Sequence, residues 1–89
     1  MIRTQVTIIN KLGLHARAAA KFVACVSAYS SDVKAGTNGD LIDAKSIMSV
    51  MMLAAGQGTV LDLEIEGRDE QEALDALQAL IDNRFDEPE

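Results

Sequence analysis

Val33-Lys34-Ala35-Gly36-Thr37-Asn38-Gly39-Asp40-Leu41-Ile42-Asp43 carries the strongest local structural signal in the chain. Asn38-Gly39 supplies the two positive φ angles of a type I′ turn, and the flanking segments 33–37 and 40–43 read as the two arms of a β-hairpin. A hairpin implies antiparallel pairing, so the other elements are read outward from it as additions to an antiparallel sheet.

Toward the N-terminus, Ser30-Ser31-Asp32 closes a helix expected from Ala16 to about Ala28. Ala19, Phe22, Val23 and Val26 recur there at helical spacing and form its buried stripe. Ala16, Ala20, Ala24 and Ser27 lie on another face, all small, and make a flat surface that a partner could approach closely. Residues 2–9 alternate and are rich in β-branched side chains, which predicts a first strand ending at Asn10.

Toward the C-terminus, Ala44-Lys45-Ser46 leads into a short apolar helix, Ile47–Leu53, with Ser46 as N-cap and Gly56 or Gly58 as terminator. If Val50 and Leu53 face the core, Ile47, Met48 and Met51 lie partly outside as an adaptable binding surface; the plain alternative is that all are core. Residues 59–66 alternate into a strand with one acidic face. Asp69 and Glu72 resemble a capping box, and Ala73, Leu74, Leu77, Leu80 and Ile81 give a last helix its apolar face. The acidic tail, residues 82–89, is expected to fray, with Phe85 tethering part of it. The order β-α-β-β-α-β-α makes the chain α+β: an antiparallel sheet covered by helices on one face and open on the other.

With 89 residues the chain is read as a single domain, 1–89, able to bury roughly 60–65% of the surface its unfolded form exposes. Apolar residues make up 48% and charged residues 25%, ordinary for a globular domain. A net charge of −6 with three aromatics disfavours nucleic acid, since phosphates are repelled and bases find little to stack on. The one cysteine, Cys25, cannot form an internal disulfide and reads as an inert small residue. No second histidine or cysteine completes a metal site, so neither metal nor cofactor is expected. The alternating N-terminus does not read as a signal peptide, and no segment approaches the roughly 20 apolar residues of a membrane span. A reducing cytoplasm is the expected compartment.

The chemistry is concentrated in Lys11-Leu12-Gly13-Leu14-His15-Ala16-Arg17-Ala18-Ala19-Ala20, where a glycine turn becomes a helix. His15, the only histidine, falls at the N-cap. The first-turn N–H groups, the positive end of the helix dipole and Arg17 together make an anion site, most naturally one for phosphate. Such positive potential disfavours the imidazolium form, leaving a nucleophilic nitrogen, and would stabilise a phosphate once it is attached. Positioning and charge stabilisation would provide most of the catalysis, shared with partner enzymes. No second nucleophile or general base stands out.

Gly13-Leu14-His15-Ala16-Arg17 together with Ala44-Lys45-Ser46-Ile47-Met48, at this separation in a chain of this length, closely resembles the histidine-containing phosphocarrier family HPr of the bacterial phosphoenolpyruvate-dependent phosphotransferase system. The resemblance covers essentially the whole chain. It implies an open-faced β-sandwich with strand order 1-4-2-3: four antiparallel strands covered on one face by three helices. It implies a stoichiometric carrier rather than an enzyme, with His15 accepting phosphate on Nδ1 from enzyme I and passing it to IIA proteins, Arg17 assisting. Docking would use the faces around Ala16, Ala20, Ala24, Ile47, Met48 and Met51. Ser46 matches the family's regulatory serine, the target of HPr kinase/phosphorylase where that enzyme exists. A helix N-cap serine alone is worth about 1 kcal/mol, and both roles can hold at once. Phosphate there would act by placing negative charge in the docking surface.

Two positions depart from the pattern. Ala18 stands where family members commonly have proline, and Leu12 where many sugar-branch members have asparagine. Asn10-Lys11-Leu12-Gly13 and Arg84-Phe85-Asp86-Glu87 look more like the nitrogen-branch paralogue NPr, a regulatory phosphocarrier, whereas Lys45-Ser46-Ile47-Met48 looks more like HPr proper. Two readings compete from other classes: a small-molecule-sensing domain of the ACT type, which shares the size and the βαβ pattern, and an oligomerisation module built on the apolar second helix. A free carrier is expected to be a monomer.

Overall fold

The computed structural model describes residues 1–89. Its elements are β1 (Ile2–Thr7), α1 (Ala16–Ser27), β2 (Asp32–Thr37), β3 (Asp40–Asp43), α2 (Ile47–Met52), β4 (Val60–Glu66) and α3 (Glu70–Asp82), followed by a 3₁₀ turn at Arg84–Asp86. The strands form one antiparallel sheet in the order β1-β4-β2-β3, so the open-faced α+β sandwich expected from the sequence is the fold. Asn38 (φ 54) and Gly39 (φ 83) take the two positive φ angles of the hairpin turn.

Alternation along the strands assigns the two faces of the sheet. Val6 faces Leu61, Ile2 faces Ile65, and Val33 and Ala35 of β2 face Ile65 and Leu63. These inward side chains join Phe22 and Val26 of α1, Val50 of α2, and Ala73, Leu77 and Ile81 of α3 in one core. Each large apolar side chain buried there contributes roughly 1.5–3 kcal/mol of transfer free energy. The opposite face is polar and paired: Arg3 lies 3.6 Å from Glu64, and Gln5 Nε2 donates to Asp62 at 2.8 Å. This is the acidic, solvated face expected for β4, balanced by its neighbours.

Four local expectations need correction. β1 ends at Thr7, although backbone pairing continues irregularly, Ile8 N–H donating to Thr59 O at 2.9 Å. α2 is not ended by Gly56 or Gly58; Ala54, at φ 50, takes the left-handed position after its last turn. Asp69 is the N-cap residue of α3, but it does not close a capping box with Glu72. Its Oδ2 accepts from Ser30 N–H and its Oδ1 from Ser31 N–H, each at 2.9 Å, and Oδ1 also accepts from Ser31 Oγ–H. These donors at the α1–β2 corner outnumber the single N–H a capping side chain would satisfy.

The fourth concerns the tail. The expected tether at Phe85 is present, and residues 82–89, rather than projecting from α3, turn back across the N-terminus of α1. Arg84, Phe85 and Asp86 all have φ between 54 and 63, a left-handed reversal that costs L-residues roughly 1–2 kcal/mol each. It is held because Phe85 is fully buried, Lys21 Nζ donates to Phe85 O at 2.8 Å, and Asn83 Nδ2 donates to Asp86 Oδ1 at 2.6 Å. Beyond it, Lys11 N–H donates to Glu89 O at 2.7 Å and Lys11 Nζ lies 3.2 Å from Glu89 Oε2.

Candidate functional site

Between β1 and α1 the chain makes a tight turn closed by Gly13 N–H donating to Asn10 O at 3.2 Å. Gly13 has φ 65, and a Cβ there would stand 2.7 Å from Gly56 Cα and would also strike Ala55 O. Only glycine satisfies both the left-handed backbone and this approach to the α2–β4 loop. Leu14 N–H donates to Ala55 O at 2.8 Å. The next residue, His15, is extended (φ −67, ψ 175) and is the N-cap of α1.

Histidine is an unusual cap. Its Nδ1 accepts from Arg17 N–H at 3.3 Å, while its carbonyl accepts Ala19 N–H at 2.8 Å in the first turn. The first turn of α1 contains no acidic residue and instead carries the exposed Arg17. A cation at that end opposes the helix dipole and costs roughly 0.3–1 kcal/mol. The result is positive potential at Nδ1, useful for an anion and of no use to the helix. A shallow hollow of about 300 Å³ is lined by Arg17 and Glu87, which both contact His15, and by Lys11, Leu12, Pro88 and Glu89. A larger one, about 380 Å³, lies on the open face of the sheet, lined by residues of β1, β3, β4 and the hairpin turn.

The other ring nitrogen has a partner the sequence did not reveal. Nε2 of His15 meets Oε2 of Glu87, delivered by the folded-back tail. Glu87 Oε1 in turn accepts from Asn10 Nδ2 at 2.9 Å, and the same amide donates to Gly13 O at 2.9 Å. Asn10 is fully buried. Donation from Asn10, then from His15, holds the Glu87 carboxyl below the usual carboxylate range. The ring therefore faces a carboxylate on one side and the N-terminus of α1 on the other. Expecting only positive potential missed this because Glu87 lies 72 positions from His15. The legible hint was Phe85, an aromatic in an otherwise polar tail.

The remaining candidates fall where their spacing placed them. Ala16, Ala20 and Ala24 are exposed along α1, and Ile47, Met48 and Met51 are exposed on α2, which packs beside it. Val50 is buried and Leu53 half-buried, so of the two readings of this helix the structure has the partly exposed one. Met52, 81% exposed, and Leu12, 68% exposed, extend the apolar surface beyond the residues expected. Ser46 is the N-cap of α2, its Oγ accepting Ser49 N–H at 3.4 Å. Ala18, on the inner side of the first turn of α1, is fully buried. Burial pushes the Cys25 thiol up, which fits an inert side chain. No group of three or more His, Cys, Asp or Glu is placed to hold a metal ion, and no helix is long and apolar enough to cross a membrane.

Comparison with known proteins agrees with this geometry. Residues 2–83 match the sequence model of the family described as PTS HPr component phosphorylation site. The phosphocarrier protein HPr of Cupriavidus necator is 60% identical over 89 residues, covering 100% of both chains. That of Pseudomonas aeruginosa is 62% identical over 86 residues, 96% of each. The crystal structure of HPr-C-His from Thermoanaerobacter tengcongensis superposes with a TM-score of 0.95 at 44% identity, covering 100% of both chains. These relatives give the nitrogen-branch and ligand-sensing alternatives no support. The fold, the histidine that caps α1 and the whole-length similarity converge: the chain belongs to the HPr family, the phosphocarriers of the phosphotransferase system.

Proposed function

We propose that His15 is the phosphoryl acceptor and that Nδ1 is the nitrogen that takes the phosphate, from enzyme I, and gives it up to IIA proteins. The observation that carries this reading is the orientation of the ring: Nδ1 accepts Arg17 N–H at the start of α1, where helix dipole and guanidinium favour an anion. The Nδ1 lone pair attacks phosphorus, the new P–N bond forms, and the bond to the donor breaks with its electron pair leaving on the donor. Arg17 then balances the phosphate charge. Exposure of the site to solvent keeps that stabilisation moderate, so the group can leave again. The chain is a carrier consumed and regenerated stoichiometrically, acting in the cytoplasm as a monomer.

Docking falls to the small face Ala16, Ala20 and Ala24 and to Ile47, Met48 and Met51, which lie on adjacent helices flanking the histidine turn. Ser46 is assigned as a regulatory site for HPr kinase/phosphorylase. Phosphate there suits the α2 N-cap locally and acts by setting negative charge beside Ile47 and Met48. The test is incubation with phosphoenolpyruvate and enzyme I, followed by mass measurement and acid treatment. One acid-labile phosphate is expected, absent from His15→Ala; no gain overturns the carrier reading.

A further inference from the structure

We propose that Glu87 is a positioning residue for phosphoryl transfer: its carboxylate, held by the buried Asn10 amide, keeps the His15 proton on Nε2 and so leaves the lone pair on Nδ1. The proposal rests on the reading of His15 as the acceptor. A neutral imidazole has one N–H and one lone pair, and which nitrogen holds the proton is set by the partner of the other. Here the division is imposed from both sides. A carboxylate accepts only, so Nε2 facing Glu87 Oε2 is the donor; Nδ1 faces Arg17 N–H, a donor, and is the acceptor. Both contacts select the same tautomer, the one in which Nδ1 is nucleophilic.

The carboxylate also has work to do after transfer. When Nδ1 bonds phosphorus no proton leaves the ring, which keeps its Nε2–H and becomes a cationic phosphoimidazolium. Glu87 lies against the nitrogen that shares that new charge. It contacts Nε2 and leaves Nδ1 to the N–H of Arg17.

Asn10 supplies an independent observation. It is fully buried, its Nδ2 is shared between Gly13 O and Glu87 Oε1, and its Oδ1 has no partner. An unpaired buried acceptor is unfavourable for stability, and an apolar side chain of similar shape would avoid it. What the asparagine provides is a fixed seat for the Glu87 carboxylate, linking the end of β1, the tail and the histidine.

The experiment uses the full chain labelled with ¹⁵N-histidine, in which the only ring signals are those of His15. Wild type is expected to show a protected Nε2–H at neutral pH. Glu87→Gln, which preserves shape and removes charge, and Glu87→Ala should weaken or lose that signal. Both should slow phosphorylation of His15 by enzyme I about tenfold, the scale of one charge-assisted hydrogen bond. Glu87→Asp should recover part of both. Wild-type spectra and rates in Glu87→Gln and Glu87→Ala overturn the proposal while leaving the carrier reading intact. A changed spectrum with an unchanged rate also overturns it, reducing the contact to tail docking. Absence of phosphate on wild-type His15 overturns both readings.

Discussion

Asp69 shows how a single side chain can obey a sequence motif in position and depart from it in bonding. It occupies the N-cap of α3, yet both its carboxylate oxygens are turned to the Ser30-Ser31 corner, and the Ser31 side chain, then the Ser30 N–H, lower its pKa to about 2. A carboxylate whose folded pKa is depressed adds stability above its unfolded value of about 3.9 and loses it as pH falls through the folded one. Asp69→Asn is therefore expected to be less stable than wild type at neutral pH. The difference should close as pH falls through the window between those two values, as measured by thermal unfolding across acidic pH. A difference that persists undiminished at low pH would show that packing, not the charge, matters there. The placement of His15 and Arg17 at the start of α1 was legible at this scale because each sits in a local pattern of turn, cap and first helical turn. Glu87 was not, because nothing in the residues around it encodes a contact with residue 15.

At the scale of elements, periodicity placed the helices and strands to within a few residues, and the errors fall where backbone conformation departs from what the residue type prefers. The terminator of α2 was sought among glycines; the chain instead puts Ala54 at φ 50. Glycine has no steric penalty there, so Ala54→Gly should raise stability by about 1 kcal/mol. That corresponds to a melting temperature about 4–8 °C higher for a domain of this size. An unchanged or lower value would mean that the loss of backbone entropy on folding cancels the relief. The 84–86 reversal is the same problem threefold, with no glycine to announce it. Tertiary contacts, Phe85 in the core and Lys21 on its carbonyl, force the left-handed turn, and those are invisible to any window of neighbouring residues.

On the scale of the whole molecule, the antiparallel open sandwich was legible because a type I′ hairpin and alternating strands leave few other arrangements, and the resemblance implied the strand order. That order makes β4 the partner of both β1 and β2. Leu63, between Thr4 and Ala35, ties the two halves of the sheet together. Leu63→Ala should therefore slow folding, whereas Phe85→Ala, in a tail that docks onto a formed core, should chiefly speed unfolding. Stopped-flow chevrons separate the two; equal effects on both rates for both variants would contradict this sequence of events. The central place of β4 also bears on how the chain is made. While residues 1–59 emerge from a ribosome, only β2 and β3 have a strand partner available. β1 and the histidine turn behind it must wait for residues 60–66, and Glu87 emerges later still. Translation thus delivers His15 well before Glu87, 72 positions later, so the contact between the two forms only after all four strands have been made.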